Sequence, residues 1–147
     1  MALRRNFFVE LFWKLHPGLY SLTGGRIGGK IMGMPVLLLT TKGRKSGQPR
    51  TVALTYLPSG ESCIVIASCL GEEKHPAWYR NLEAEPLVEI EAGGRKRKVR
   101  ARVADGAERE TLWRQMADRL PDYDEYATRT TRRIPVVVLE PASATAR

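Results

Sequence analysis

Four cations occupy one short stretch of this sequence, and together they form its best candidate for an anion-binding site. The stretch is residues 42–50, KGRKSGQPR, which has no acid. Its cations are Lys42, Arg44, Lys45 and Arg50. An arginine offers a planar fork that matches phosphate or carboxylate, whereas a lysine acts as a point charge. The backbone amides of Gly43, Ser46 and Gly47 are candidates for additional N–H donors. The alternative interpretation is a solvated cationic loop.

Aromatic side chains form a second group of candidates. Trp78 stands at the start of a predicted helix, where it could line the mouth of a ring-binding pocket, and a core tryptophan is the alternative. Tyr123 and Tyr126 lie three residues apart on another short predicted helix. They could present two hydroxyls to one cavity, or they could equally be surface aromatics.

The sequence lacks the local signatures of several enzyme classes. No glycine-rich phosphate loop, zinc-protease motif or serine-hydrolase elbow occurs. His16 and His75 are the only imidazoles, and Cys63 and Cys69 have no metal-ligand spacing. We therefore predict no metal site and no disulfide framework, with a reducing cytoplasm as the default location. A chain so poor in acid–base groups is expected to hold a cofactor that supplies the reactivity.

Length and charge bound the remaining choices. The 147 residues suffice for one compact domain, and an apolar fraction of 43% argues against wholesale disorder. No stretch approaches the ~18 apolar residues of a membrane-spanning helix. A net charge of +8 indicates an anionic partner, which is nucleic acid, an acidic membrane surface, or a phosphorylated or carboxylated small molecule.

Hydrophobic periodicity predicts a mainly β chain with a few helices. Apolar residues at helical spacing predict an amphipathic helix over residues 6–16, which either packs on the domain or docks on a membrane or a lipophilic substrate. Shorter helices are predicted over residues 76–84, over a segment that begins at Asp105, and over residues 122–129. At the start of the second of these, Asp105 and Glu108 have the spacing of a capping box. Six strands are predicted, at 36–41, 52–57, 63–68, 87–92, 95–103 and 134–139.

A pair of glycines at 93–94 predicts a two-residue turn between the fourth and fifth strands. Glu91 then lies opposite Lys96, and Glu89 lies opposite Lys98, so that opposite charges face each other on one side of the ribbon. The basic run in the fifth strand is thereby explained as a solvated strand face. This pairing weakens the case for a nucleic-acid partner.

The order of the elements favours a small mixed barrel with helices packed around it. No βαβ alternation appears, which disfavours a doubly wound sheet. The turn residues at 58–61 predict a hairpin between the second and third strands. We expect residues 1–29 to form a helix and a glycine-rich connection, residues 30–141 the folded domain, and residues 142–147 a frayed tail.

Motifs in four segments, taken together, resemble the deazaflavin-dependent nitroreductase and quinone reductase family, whose members use coenzyme F-420. The likeness covers nearly the whole chain, from about residue 30 to residue 141. GRKSGQPR followed at this distance by HPAWYRNL is the specific combination, since neither piece alone is persuasive. The segments are LLTTKGRKSGQPR at 38–50, VIAS at 65–68, KHPAWYRNL at 74–82 and IPVV at 134–137.

The resemblance implies an α+β, mainly β fold, a six-stranded split β-barrel related to flavin-mononucleotide-binding oxidoreductases. It also implies a cofactor, coenzyme F-420, which is an 8-hydroxy-5-deazaflavin with a phospholactyl-oligoglutamate tail. The implied reaction is hydride transfer from the reduced coenzyme to a lipophilic acceptor such as a quinone, an activated enone or a nitro compound. Such an acidic tail is the kind of ligand that the acid-free basic loop would bind.

Site residues follow from the same resemblance. Arg44, Lys45 and Arg50 would bind the phosphate and the glutamates. Ser68, Tyr123 and Tyr126 are candidate substrate-side or proton-donor groups. The remaining cofactor-binding positions implied are Val52, Ala53, Ala67, Ser68, Cys69, Leu70, Gly71, Pro76, Ala77 and Trp78.

Three positions depart from the family pattern. Cys69 stands where relatives can place an anion-binding lysine, and Leu120 stands where some place a further tyrosine. Ala77 is smaller than the methionine of some relatives, which should widen the ring pocket. These departures leave the cofactor prediction intact but do not support carrying over the activation of nitroimidazole prodrugs.

Several alternatives stay open at this point. The chain could be a split-barrel protein that binds cofactor or fatty acid without turnover, or a relative that binds flavin mononucleotide or haem. A nucleic-acid partner is not expected. Within the predicted cytoplasmic location, residues 6–16 could make peripheral contact with the inner face of the cell membrane. A homodimer is one alternative for the oligomeric state.

Overall fold

The computed structural model describes residues 30–31, 34–68 and 73–142. Within these ranges the chain forms eight strands and three helices. The helices are α1 (Ala77–Ala84), α2 (Gly106–Arg119) and α3 (Asp122–Thr128). The strands are β1 (Lys30–Ile31), β2 (Met34–Lys42), β3 (Pro49–Thr55), β4 (Leu57–Ser59), β5 (Ser62–Ile66), β6 (Leu87–Ala92), β7 (Arg95–Val103) and β8 (Val136–Pro141). The predicted helix over 6–16 lies outside the described residues.

All the strand pairs are antiparallel, in the order β1-β2-β6-β7-β8-β5-β4, with β3 also paired to β2. Neighbouring strands therefore alternate in direction, and the C-terminal ends of β2 and β5 lie at the same end of the curled sheet. Because β3 pairs antiparallel with β2 and β8 with β5, both β3 and β8 begin at that end. We call it the loop end, because the basic loop 43–48 joins β2 to β3 there.

Alternating side chains place two hydrophobic clusters on opposite faces of β5 and β8, which explains why both strands read as continuous apolar runs. The inner cluster lies inside the curl, beneath α1. It comprises Leu37, Leu39, Cys63, Val65, Ala67, Trp78, Tyr79, Leu82, Val88, Ile90, Val99, Ala101, Val137 and Leu139. The outer cluster packs under α2 and α3. It comprises Met34, Leu57, Ile64, Ile66, Ala104, Leu112, Trp113, Met116, Ala117, Tyr123, Tyr126, Ile134, Val136 and Val138.

The six predicted strands are all present, and the described chain has two more. The second predicted strand, 52–57, is divided at Tyr56 into β3 and the short β4. Only β4 forms the predicted hairpin with β5, while β3 pairs along its whole length with β2. The turn residues at 58–61 act locally, whereas seven paired residues hold β3 on β2.

Two further predictions concern β6, β7 and α2. The register of the β6–β7 ribbon is confirmed, with Glu91 opposite Lys96 and Glu89 opposite Lys98. The face is not fully solvated, however, because Glu91 is only 8% exposed. The predicted capping box is wrong: Asp105 makes no side-chain cap bond, and Glu108 instead accepts two hydrogen bonds from Arg102.

Candidate functional site

The basic loop at the loop end is closed by its own backbone. The amide of Gly43 donates to the carbonyl of Gln48, and that of Gly47 donates to the carbonyl of Gly43, both at 2.8 Å. The amide of Gln48 donates to Oγ of Ser46 at 3.1 Å. The prediction that the Gly43 and Gly47 amides point at an anion is therefore wrong, because both amides donate to carbonyl groups within the loop. The candidates for anion donors that remain in this loop are its side chains and the amide of Ser46.

Gly43 is the residue on which this tight turn depends. A Cβ atom added there would meet Oγ of Ser46 at 2.7 Å and the carbonyl oxygen of Gln48 at 3.1 Å. A side chain there would displace the Ser46 hydroxyl, which accepts the bond from Gln48, and would push the Gln48 carbonyl by a few tenths of an ångström. The GRKSG motif thus encodes a compact turn that leaves Arg44, Lys45 and the other side chains on its outside exposed.

A buried asparagine on α1 holds the loop in place. Oδ1 of Asn81 accepts from the backbone amide of Arg44 at 3.2 Å and from its Nη1 at 3.1 Å. Nδ2 of Asn81 donates to Oγ1 of the buried Thr41, at the end of β2, at 3.0 Å. One neutral amide therefore connects β2, the basic loop and α1. Because this anchor carries no charge, the positive charge of Arg44 is not neutralised by it.

Strand register brings Arg50 to the same place. Arg50 lies opposite Thr41, as Val52 lies opposite Leu39, so Arg50 and Val52 project from the inner face of β3. Cγ of Arg50 would pass 3.6 Å from a Cβ at Gly43. The two arginines are therefore grouped at the loop end around the Thr41–Asn81 pair.

The neighbouring candidates Val52 and Ala53 project from opposite faces of β3. Val52 is half-buried against the inner cluster, whereas Ala53 packs with Val36 and Leu38 on the other face. The two side chains cannot both contact one ligand lying along the inner face.

The end of β5 is organised by an arginine that the sequence interpretation missed. Nη2 of Arg132 donates to the carbonyls of Ala67 and Ser68, at 3.2 and 2.8 Å. Ala67 is fully buried in the inner cluster, and Ser68 is 8% exposed. Arg132 thus holds two of the predicted ring-binding residues from across the loop end. No local motif marks it; only its position just before the β8 segment gave a hint.

His75 lies against the same arginine. Its Nδ1 is 3.0 Å from Nη1 of Arg132, and its ring stacks at 4.8 Å, tilted, on Tyr79. Burial lowers the pKa of His75 below its usual value, and the cations Arg132 and Arg80 lower it further. Since a guanidinium can only donate, Nδ1 of His75 accepts this hydrogen bond in the neutral tautomer that carries its proton on Nε2, and the lowered pKa favours the neutral ring.

Helix α1 contains two of the cofactor-binding candidates, Ala77 and Trp78, and begins directly after a third, Pro76. Pro76 is its buried N-cap residue, Ala77 is exposed at its first turn, and Trp78 is 7% exposed in the inner cluster. The Trp78 ring meets Tyr79 edge-on at 6.4 Å. Trp78 is therefore a core tryptophan beneath the loop end, and Ala77 is the member of this group that faces outward. Three further candidates, Cys69, Leu70 and Gly71, lie outside the described residues.

The two tyrosines are buried, which excludes the surface interpretation. Both belong to the outer cluster, with their rings 6.1 Å apart and edge-on. The Tyr123 hydroxyl is 2.6 Å from Oγ1 of Thr55, and burial raises the pKa of Tyr123 to about 12. Thr55 lies five residues along β3 from Arg50, about 17 Å at the usual rise per residue. The tyrosine pair and the cationic group therefore sit at opposite ends of β3.

Two classes of site are not found in the part of the chain that the structure describes. No group of three or more histidine, cysteine or acidic side chains could hold a metal ion there. Nor does any described helix combine the length and apolarity needed to cross a membrane.

Comparison with known proteins identifies the family. The model of the F420H(2)-dependent quinone reductase family matches residues 13–141. The chain belongs to this family. An F420H(2)-dependent quinone reductase of Mycobacterium tuberculosis is 41% identical over 141 residues, which covers 93% of this chain and 94% of that protein. The predicted membership, the oxidoreductase class and the use of coenzyme F-420 are confirmed.

Solved structures confirm the split-barrel fold. An F420-H2-dependent reductase superimposes with a TM-score of 0.67 at 39% identity, covering 72% of this chain and 94% of that one. A chain described as a domain-swapped dimer superimposes with a TM-score of 0.69 at 34% identity, covering 90% and 97%. A haem storage protein of Vibrio cholerae, at 20% identity and a TM-score of 0.56, shares the fold alone.

The donor set at the loop end fits the acidic tail of this coenzyme. A phosphodiester and several carboxylates require cations whose charge is not already neutralised by neighbouring acids. Arg44 is anchored by an uncharged amide, the exposed Lys45 extends from the same loop, and the exposed Arg50 lies at the start of β3. Below this loop the inner face carries Val52, Leu54 and Tyr56, which are half-buried against the inner cluster and offer a partly exposed apolar surface to a planar ring.

Proposed function

We propose that this chain catalyses hydride transfer from reduced coenzyme F-420 to a quinone-type acceptor, with the coenzyme's acidic tail held by Arg44, Lys45 and Arg50. The observation that carries this proposal is the placement of Arg44, held by a neutral buried amide beside Arg50 at the loop end. The match to the F420H(2)-dependent quinone reductase family supports the choice of coenzyme and of acceptor class.

The chain's own residues bind and orient the coenzyme. Arg44, Lys45 and Arg50 attract the phosphate and carboxylates, and the apolar face along Val52 accepts the ring and excludes water. Arg132 keeps the backbone at Ala67 and Ser68 rigid where the ring would lie. When bound, the reduced coenzyme supplies the hydride from its C5 carbon. Holding donor and acceptor in reacting geometry is the main contribution that this protein makes to the rate.

Completion of the reduction also requires a proton. Ser68, Tyr123 and Tyr126 are the candidate donors. Ser68 lies at the loop end and is slightly exposed. Tyr123 stays protonated at neutral pH, since its pKa is raised to about 12, and its hydroxyl is already bonded to Thr55. That bond makes Tyr123 better suited to orient a neighbouring group than to release its own proton.

The decisive experiment measures how binding depends on the acidic tail. The purified protein is titrated with forms of the oxidised coenzyme that carry increasing numbers of glutamates, and binding is measured by fluorescence. Affinity should rise with glutamate number in the wild type, and this dependence should flatten in Arg44→Ala, Lys45→Ala and Arg50→Ala. Lys98→Ala, which removes an exposed cation from β7, is the matched control and should keep the wild-type dependence.

Turnover separates catalysis from mere binding. With reduced coenzyme and menadione, the wild type should oxidise the coenzyme at a steady rate. Tight binding without turnover would support a non-catalytic binding protein instead. Affinity that is independent of tail length in the wild type would contradict the proposed role of the basic loop.

The acceptor and the location of the enzyme are also proposed. Quinones partition into bilayers, and residues 6–16 have the amphipathic pattern of an interfacial helix. We propose that this segment brings the enzyme to the inner face of the cell membrane. Deletion of residues 1–16 should lower binding to anionic vesicles and raise KM for a long-tailed quinone but not for menadione. Unchanged vesicle binding would contradict the membrane contact.

A homodimer is proposed on one observation. A similar chain, at 34% identity over most of its length, is described as a domain-swapped dimer. Light scattering coupled to size exclusion should give twice the mass of 16.5 kDa. A monomer mass at all concentrations tested would contradict this proposal.

A further inference from the structure

The structure assigns Asn81 as the positioning residue for tail recognition: its side-chain amide aligns Arg44 with α1. This inference rests on the proposed function of the basic loop. Asn81 is 4% exposed and lies on the face of α1 that packs toward β2. It does not reach the exterior of the loop itself, so its effect on the coenzyme would be exerted through Arg44.

Three hydrogen bonds define the role. Oδ1 accepts twice from Arg44, once from the backbone amide and once from Nη1, and Nδ2 donates to Thr41. The backbone bond holds the first turn of the loop, and the Nη1 bond selects one direction for the guanidinium. An arginine side chain otherwise loses considerable rotamer entropy when it binds an anion. Asn81 removes much of that loss before the ligand arrives.

The chemistry of the amide matters as much as its position. An aspartate could accept the same two bonds, but its charge would cancel that of Arg44 where an anion must bind. An apolar side chain would leave both the Arg44 amide and the Thr41 hydroxyl without this partner. Asparagine is neutral, accepts on one side and donates on the other, and so meets both requirements.

The same bonds connect the proposed tail-binding loop to the helix that carries Trp78. Trp78 and Asn81 lie on one short helix, three residues apart, with Trp78 in the core beneath the ring face. The loop that would bind the tail is therefore fixed to α1, the helix that packs on the inner cluster beside the proposed ring-binding face. This explains physically why GRKSG and HPAWYRNL occur together in one chain: the second motif supplies the amide that the first requires.

The test is a double-mutant cycle with two ligands. Binding of tailed coenzyme, and of a deazaflavin that lacks the phosphate and glutamates, is measured for wild type, Arg44→Ala, Asn81→Leu and the double variant. Asn81→Leu should weaken binding of the tailed coenzyme about tenfold, the low end for loss of a hydrogen bond to a charged group. Binding of the tail-free ring should not change.

The cycle distinguishes positioning from general damage to the fold. In the double variant, the loss of tailed-coenzyme affinity should be smaller than the product of the two single losses, because the bond from Nη1 is already absent in Arg44→Ala. Only the bond from the backbone amide at position 44 is left for the Asn81 substitution to remove from the loop. Glu83→Gln, an exposed change on the same helix, is the control and should leave both affinities unchanged. If Asn81→Leu does not fold, Asn81→Ser, whose hydroxyl cannot span Thr41 and Arg44 together, carries the same expectation.

Two results would overturn the inference. The first is an Asn81→Leu variant that keeps full affinity for the tailed coenzyme while Arg44→Ala loses it. The second is an equal loss for both ligands, with additive effects in the double variant, which would show a purely structural role. If Arg44→Ala itself has no effect on the tailed coenzyme, the proposed function of the basic loop fails, and this outcome is distinguishable from the other two.

Discussion

Two acid-free basic runs, residues 42–50 and 95–102, look alike in the sequence and differ in the structure. In the ribbon, Lys96 and Lys98 lie opposite glutamates of β6. Arg102 donates to both carboxylate oxygens of Glu108, at 2.7 and 2.8 Å, and to Glu140 at 3.0 Å. Those carboxylates raise the pKa of Arg102, and Arg102 lowers that of Glu108. Three cations of the second run, Lys96, Lys98 and Arg102, thus face acids from other elements. Arg97 of the same run instead donates to the carbonyl of Glu61 and to Sγ of Cys63.

In the basic loop, by contrast, the guanidinium of Arg44 donates to a neutral group, the side-chain amide of Asn81. The comparison shows that a run without acids in the sequence need not be without acids in space. What identifies an anion site is the chemistry of the groups that anchor its cations. A carboxylate anchor neutralises a cation, whereas an amide anchor orients it and leaves the charge available to a ligand.

The sharpest way to break this comparison is to remove two cations from each run. The double variant Arg44→Ala/Arg50→Ala should bind tailed coenzyme at least about 100-fold more weakly, since each lost charged hydrogen bond costs about 1.5–3 kcal/mol. Lys98→Ala/Arg100→Ala removes the same charge from the ribbon and should leave binding unchanged. Titration at two salt concentrations measures both effects. Equal losses from the two variants would mean that only net charge matters.

The next prediction concerns a cation at the loop end that binds backbone carbonyls. Arg132→Met should lower kcat/KM about tenfold, by loosening the carbonyls of Ala67 and Ser68 where the ring would lie. Unlike the loop variants, it should affect tailed and tail-free deazaflavins equally. Steady-state kinetics with both forms provide the check. A loss confined to the tailed coenzyme would place Arg132 in tail binding instead.

The burial of Tyr123 can be tested by the pH dependence of the free energy of unfolding. Because the folded-state pKa of Tyr123 is about 12, against an ordinary value of 10, its protonated form is favoured by folding. The resulting stabilisation is fully present below pH 10 and is lost as pH rises through about 12. Tyr123→Phe should therefore show a shallower loss of stability in that range, measured by urea unfolding. Identical pH profiles for the two proteins would contradict the buried assignment.

The smallest effect is expected from breaking the ribbon's own ion pairs. Arg102→Met removes the bonds to Glu108 and Glu140, but all three side chains are about two-fifths exposed, so solvent screens much of the interaction. The midpoint of thermal unfolding should fall slightly, and coenzyme affinity should stay at the wild-type value. A marked loss of affinity would show that the ribbon takes part in binding after all.

Much of the fold was predictable because its signals are local. The glycines at 93 and 94 both have positive φ, 58° and 78°, and set the register of the β6–β7 ribbon as predicted. The apolar residues of α2 also follow helical spacing, and Leu112, Trp113, Met116 and Ala117 are all buried. Tertiary pairing decided the rest, as when β3 joined β2 instead of continuing into the hairpin.

The candidate site divides in the same way. The cationic loop and the helix after Pro76 carry motifs that are visible in the chain, and the family resemblance linked them to coenzyme F-420. Arg132 and Asn81 could not be assigned roles from the sequence, because their partners lie 65 and 37 residues away. The burial of Tyr123 likewise depends on Thr55, which is 68 residues distant.

By itself, the sequence determined which segments could pair locally, where the chain turns, and which residue types are available for an acidic ligand. These properties depend on side-chain chemistry and on backbone preferences within a few residues. Only the tertiary structure decided which cations keep their charge, because neutralisation requires an acid within hydrogen-bonding distance. That distance is set by strand order and helix packing, which bring Asn81 to Arg44 and Glu108 to Arg102.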